Sequence, residues 1–344
     1  MRFGDLLGQE KNIRLLREAV RRDRAAHAYL FAGPPGSGKR SLALAFAAAL
    51  DCEARGTAGW DGEPCGECRS CRKMASGNHP DLQVIEPDGA RLKIEQMREV
   101  RRENARRPYE ARHKVFLIAG AETLTDEAAN SLLKALEEPP GPAVFLLLTT
   151  HVARLLPTIV SRCCVVKLTP LPEATIAQAL AGEGVEPGVA AAAAALSGGA
   201  LGRAREVAES WDEWRDEARR FYDAAHAGDR VALLQLAAAW AKDRDVAAAR
   251  LTLLEGLYRQ LLHAAGGASA GPLLLAAGLK PPQGGAGAGI SLAGARQALE
   301  SIMWTEQALL ANAHRRLLLE VLFLQIARCH RGEEPLPGLA GGRG

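Results

Sequence analysis

Apolar runs and helical-period stripes divide the chain into two unlike halves. In the first, His27-Ala28-Tyr29-Leu30-Phe31-Ala32, Val115-Phe116-Leu117-Ile118 and Ala143-Val144-Phe145-Leu146-Leu147-Leu148 are apolar without alternation. Such runs are the mark of strands in a parallel sheet covered on both faces. Cys163-Cys164-Val165-Val166 reads as one more strand. Asp126 to Glu138 reads as a helix, with Thr125 as its cap, Asp126 and Glu127 at the positive end of the dipole, and Pro139-Pro140 as its stop. The expected class up to residue 167 is α/β.

Beyond Pro170 the strand pattern ends. A few short helices are expected over 171–208, around Gly182, Gly184 and Gly198-Gly199. Longer helical patterns follow: Trp211 to His226, Val231 to Lys242, Val246 to Ala265, and Leu292 to Arg331, where Leu299, Ile302, Leu309, Leu317 and Leu324 recur at helical spacing. Residues 266–289 are rich in Gly, Ala and Pro and read as a flexible excursion between helices, and 332–344 as a disordered tail. Three domains result: 1–167, a small helical domain over 168–208, and an all-α domain over 209–331.

Composition narrows the classes. The chain has 344 residues, 48% hydrophobic and 24% charged, which suits a folded protein of two or three domains. No apolar run approaches the roughly 18 residues of a membrane helix, and Met1-Arg2-Phe3-Gly4-Asp5 lacks signal-peptide character, so a cytoplasmic location without membrane partners is expected. The net charge of +3 is too balanced to argue for nucleic acid by itself.

Gly33-Pro34-Pro35-Gly36-Ser37-Gly38-Lys39 follows a predicted strand and leads into an apolar helix, Ser41 to Leu50. That context turns a G-x-x-x-x-G-K match into a phosphate loop: glycines let successive N–H groups face phosphate oxygens and Lys39 adds a charge. Gly33, Pro34, Gly36, Ser37, Gly38 and Lys39 are the candidate nucleotide contacts. The Ser or Thr that should follow the lysine and hold magnesium is Arg40. The strand Val115 to Ile118 runs into Ala119-Gly120, where a magnesium-binding Asp and a water-activating Glu are expected in an ATPase. Glu122, further on, reads as a solvated or helix-capping acid. The loop can cradle an anion, yet no magnesium site of its own is expected, so hydrolysis is not expected; ATP bound without turnover and a loop that binds no nucleotide are both open.

Seven cysteines in a chain of this length argue against a disulfide scaffold. Cys65, Cys68 and Cys71, with Cys52 upstream, make a four-thiol set for one structural zinc ion, with no position open for catalysis; redox-active or inert thiols are the alternatives. His79 is not needed as a ligand and reads as a packing or turn-capping residue. Cys163, Cys164 and Cys329 read as buried small hydrophobes.

Arg162, just before the last strand, can reach a phosphate held by a neighbouring chain and stabilise transition-state charge, or simply sit in a surface salt bridge. Arg203, in Gly198-Gly199-Ala200-Leu201-Gly202-Arg203, can touch a nucleotide or be a solvated helix residue. Arg98, Arg101, Arg102, Arg106 and Arg107 read as a solvated helix face interleaved with Glu99 and Glu103.

These motifs together resemble the delta-prime family of bacterial DNA polymerase III clamp-loader subunits, within the AAA+ proteins. The resemblance runs through Gly8-Gln9-Glu10, the loop, the cysteine knuckle, His79-Pro80-Asp81, Ile94-Glu95-Gln96, Ala129 to Pro139, Ser161-Arg162-Cys163 and Asn312 to Glu320. It implies an AAA+ P-loop domain with an inserted zinc knuckle (52–71), a helical lid (168–208) and a helical collar (209–331). It implies a hetero-pentamer with gamma/tau ATPase subunits and a delta subunit, acting on the sliding clamp and primed DNA in an assembly with DNA-directed DNA polymerase activity. Arg162 would then be an arginine finger toward ATP on an adjacent gamma/tau subunit. Two other readings are a hydrolysing gamma/tau-like ATPase, and a zinc-knuckle nucleic-acid-binding protein with a vestigial P-loop.

Overall fold

The computed structural model describes residues 2–137, 141–279, 290–310 and 313–334. Pro139-Pro140, residues 280–289, Asn312 and residues 335–344 therefore lie outside the described residues. The chain divides into two compact units, Met1–Leu171 with Ala200–Gly202, and Pro172–Gly199 with Arg203–Gly344.

The first unit is a five-stranded parallel sheet. Its strands are β1 (Ala28–Ala32), β2 (Leu82–Ile85), β3 (Lys114–Ile118), β4 (Ala143–Thr149) and β5 (Cys164–Lys167), in the order β2-β3-β4-β1-β5. Its helices are α1 (Glu10–Arg21), α2 (Lys39–Leu50), α3 (Arg69–Ala75), α4 (Ile94–Asn104), α5 (Asp126–Glu137) and the single turn α6 (Pro157–Val160). Alternate strand residues serve two cores. Tyr29, Phe31, Val115, Leu117, Val144, Leu146 and Leu148 pack on one face with α1, α2 and the cysteine segment. Ala28, Leu30, Phe116, Ile118, Phe145 and Leu147 pack on the other with α4, α5 and α6. Phe116 and Phe145, register partners, stack at 5.2 Å. Continuous apolar runs are what this two-sided burial demands.

The runs read as strands become β1, β3, β4 and β5, and Thr125 Oγ1 accepts from Ala128 N at 3.3 Å as the cap of α5. Leu82-Gln83-Val84-Ile85 adds an edge strand, β2, which composition had hidden because Gln83 interrupts a short run. Helix α1 is tied to the far edge of the sheet by Gln9: its Nε2 donates to Thr169 O at 2.7 Å, and Asn12 Nδ2 donates to Lys167 O at 2.9 Å.

The second unit is helical: α7 (Glu173–Gly182), α8 (Pro187–Leu196), α9 (Leu201–Glu209), α10 (Trp211–Ala227), α11 (Arg230–Trp240), α12 (Arg244–Ala265), α13 (Pro272–Ala276), α14 (Leu292–Leu310) and α15 (Arg315–Arg331). α7 packs on α8, and α15 packs against α10, α11 and α14. Phe323 of α15 meets Phe221 and Trp240 edge-on, with ring centroids at 4.7 and 5.1 Å. Asp229 and Asp243 cap α11 and α12 through two backbone N–H groups each. Two expectations change here. The single helical run expected over 292–331 is two helices, with the His314 side chain capping the second through Leu317 N at 3.3 Å. The excursion expected over 266–289 contains α13, held by buried Leu273 and Leu274. Among the described residues no helix is long and apolar enough to cross a membrane.

Candidate functional site

The loop between β1 and α2 curls because Gly36 and Gly38 hold φ of 71° and 85°, where a side chain would be strained. A Cβ on Gly33 would lie 2.9 Å from Ser37 Oγ and 3.1 Å from Leu168 Cβ, so glycine is required there too. Beside Gly38 the Cβ position meets nothing within 4 Å, leaving open space over the start of α2. Lys39 Nζ donates to Gly33 O at 2.8 Å and Pro34 O at 2.7 Å. Burial pulls its ammonium below the ordinary lysine range, with the Glu122 charge opposing. Ser37 Oγ is buried and has no partner among the described residues. Gly33, Pro34, Gly36, Ser37, Gly38 and Lys39 thus come together on one loop.

The magnesium positions look different. Arg40, half exposed on the first turn of α2, pairs with Glu86 just beyond β2. β3 ends into Ala119-Gly120. Glu122, read from sequence as solvated or helix-capping, is neither: its carboxylate accepts from Thr150 N at 3.1 Å and from the Thr150 hydroxyl at the end of β4. Burial works against its ionisation, but the Thr150 and Thr149 hydroxyls and nearby amides outweigh this and keep its pKa below the ordinary carboxylate value. The missed signal was topological, since adjacent parallel strands β3 and β4 bring their C-terminal ends to the same edge. A guanidinium in the hydroxyl position and no carboxylate at the end of β3 do not fit a magnesium site.

The cysteine segment wraps the C-terminal end of α2. The Sγ atoms of Cys52, Cys65, Cys68 and Cys71 lie within 4.8 Å of one another, and those of Cys65 and Cys71 are 4.0 Å apart. A tetrahedral thiolate site with metal–sulfur distances of about 2.3 Å needs sulfurs about 3.8 Å apart, so the set can hold a metal ion. Backbone N–H groups point at the sulfurs: Cys65 N to Cys52 Sγ at 3.4 Å, Cys68 N to Cys65 Sγ and Cys71 N to Cys68 Sγ at 3.3 Å each. Burial raises the Cys52 and Cys71 thiols. At Cys65 burial also works upward, but the amides of Cys68 and Glu67 outweigh it and bring the thiol down to about 7. His79 stays outside this set and caps a turn: its Nδ1 accepts from Asp81 N at 3.1 Å. Cys163 and Cys164 pack against the two sheet cores and Cys329 is buried in the helical unit.

Arg162 lies between α6 and β5, the last strand of the sheet. Its guanidinium donates to Thr158 O at 3.0 Å and to Glu137 Oε1 at 2.7 Å, both at partly exposed positions. Arg203 sits on the first turn of α9 in the second unit, where its charge acts on the half-buried Glu306. On α4, Arg102 pairs with Glu99 and Arg106 with Glu103, the solvated face expected of that helix.

Comparison with known proteins agrees with this arrangement. Residues 8–172 match the family described as DNA polymerase III, delta subunit. The DNA polymerase III subunit delta' of Bacillus subtilis is 34% identical over 262 residues, 74% of this chain and 77% of that protein. Its Pseudomonas aeruginosa counterpart is 45% identical over 151 residues, 43% of this chain and 44% of that one. The tau subunit of Escherichia coli is 42% identical over 162 residues, 47% of this chain and 24% of the relative. The crystal structure of a DNA polymerase III gamma subunit-related protein from Thermotoga maritima aligns at 17% identity with a TM-score of 0.52, covering 94% of this chain and 99% of that one, and shares the fold. A parallel sheet bearing a phosphate-type loop, the inserted four-cysteine cluster and the extended match to delta' together establish that the chain belongs to the DNA polymerase III delta' subunit family.

Proposed function

We propose that the chain is a clamp-loader subunit of DNA polymerase III that does not hydrolyse ATP itself and supplies Arg162 in trans to ATP held by an adjacent gamma/tau subunit. The observation that carries this reading is the charge pattern at the end of β3. Ala119 and Gly120 stand where a hydrolysing P-loop protein has its carboxylates, and Arg40 stands in place of the hydroxyl. A loop so equipped favours holding a nucleotide over turning it over, and Gly33, Pro34, Gly36, Ser37, Gly38 and Lys39 are its contacts, with Arg203 as a further candidate.

Arg162 supports the trans role by its partly exposed place before the edge strand β5. Its partner Glu137 is half exposed, and such a pair is worth about 1 kcal/mol or less, so a phosphate on a neighbour can take the guanidinium from it. Cys52, Cys65, Cys68 and Cys71 would hold one zinc ion, which when bound cross-links the segment between α2 and α3 and does no chemistry. The expected partners are gamma/tau and delta subunits in a hetero-pentamer, with the sliding clamp and primed DNA reached through that assembly in the cytoplasm. The tau relatives favour a second reading, a hydrolysing ATPase of the same complex, against which the end of β3 argues. Arg162→Ala in a reconstituted complex tests the proposal. The ring should assemble as before, while turnover at the site facing Arg162 falls by about 10³-fold; an unchanged rate removes Arg162 from the mechanism.

A further inference from the structure

The geometry points to Arg40 as the fixed cation of this loop, standing in for magnesium, so that the chain binds a nucleotide polyphosphate without a divalent ion. This inference rests on reading the loop as a nucleotide cradle and adds how the ligand's charge is met. In a hydrolysing P-loop protein a hydroxyl after the lysine and an acid after the third strand hold the metal between them and the phosphates. Here both metal ligands are replaced, by Arg40 and by Ala119-Gly120, and Arg40 pairs with an acid that follows the neighbouring strand. Ala119 N donates to Ile85 O at 2.9 Å, which brings the end of β2 alongside the end of β3. The first residue beyond β2 is Glu86, and Arg40 Nη1 donates to its carboxylate. A cation at the sequence position of the metal-holding hydroxyl, paired with a carboxylate from the neighbouring strand, therefore stands beside the loop's N–H groups.

The guanidinium has five N–H donors, and among the described residues only Nη1 is engaged, by Glu86. The rest suit two phosphate oxygens at once. A half-exposed ion pair of this kind is weak, so a phosphate can share or displace Glu86 at little cost. One further feature looks toward a ligand: the Lys39 ammonium rests on two neutral carbonyls, poorer partners than an oxyanion. A magnesium ion finds the opposite: a positive charge at the hydroxyl position and no carboxylate directly after β3, while Glu122 gives its Oε1 to Thr150 and keeps Oε2 buried, without a partner among the described residues.

Titration calorimetry of the full chain with ATP, in EDTA and then in excess magnesium, tests this, with ADP as a second probe. Wild-type affinity should agree within about twofold in the two conditions. Arg40→Ser should weaken ATP binding in EDTA about tenfold, the loss of one charge-assisted contact. Glu86→Gln should bind at least as well as wild type and remain metal-independent. Both side chains are half exposed, so the fold should survive, as an unchanged melting curve would verify. The inference is overturned if wild type binds no nucleotide in either condition, if binding requires magnesium, or if Arg40→Ser leaves the EDTA affinity unchanged. A magnesium requirement abolished by Glu122→Gln would instead assign the metal to that residue. None of these outcomes touches the trans role of Arg162, which is read from turnover by the complex.

Discussion

Single residues explain where motif reading succeeds and where it stops. Lys39 and the loop glycines form one contiguous motif, so the turn between β1 and α2 was legible, and Gly36 and Gly38 take the positive φ it requires. Glu122 was not legible, because its partner Thr150 is remote in sequence and meets it only through the pairing of β3 with β4. His330 is another such case. Nothing in the helical pattern marks it, yet it is buried, its Nε2 lies 2.7 Å from the Tyr258 hydroxyl, and its Nδ1 has no partner among the described residues. Burial, with the nearby His226 adding to it, holds its pKa down to about 4. The unfolded imidazole takes a proton near 6.5 that the folded one refuses, so this residue's contribution to stability is lost as pH falls from about 6.5 to about 4. The loss should reach about 3 kcal/mol. Urea unfolding across that range should show wild type losing stability faster than His330→Gln; parallel curves would mean that the imidazole is protonated in the fold.

At the level of elements, the cysteine segment was legible as a metal-binding set from spacing alone, but its docking was not. Arg17 of α1 pairs with Asp61 and Glu63, Gly4 N donates to Glu63 Oε1 at 3.0 Å, and Gly62 between them holds φ of 90°. A Cβ on Gly62 would fall 2.5 Å from Arg17 O. Gly62→Ala should therefore cost about 2 kcal/mol or more by combined strain and clash, seen as a lowered melting temperature; a neutral result would mean that the knuckle can lift off α1. Metal analysis of the purified chain should find one zinc, and Cys65→Ser should lose it and loosen the segment to protease, because a structural four-thiolate site does not tolerate the loss of a ligand. Full zinc retention in that variant would require a different ligand set. The helices 211–227 and 244–265 lie within two residues of the 211–226 and 246–265 expected from their helical pattern, whereas the break between α14 and α15 was not expected. Apolar periodicity continues across it, and the His314 cap is local chemistry that a stripe does not encode.

For the whole molecule, the sheet order and the two-sided core follow from the unbroken apolar runs, and they bring the ends of β1, β3 and β4 to one edge where a P-loop protein keeps its chemistry. What that edge lacks defines the protein. The loop keeps its glycines and Lys39, the end of β3 carries no carboxylate, and the partly exposed Arg162 before β5 is the residue proposed to act on another chain. The most direct test is ATP turnover with magnesium by the isolated chain, compared with turnover after mixing with gamma/tau subunits. The chain alone should show no turnover above background, and turnover in the mixture should depend on Arg162. Sustained hydrolysis by the isolated chain, lost in Lys39→Ala, would contradict this.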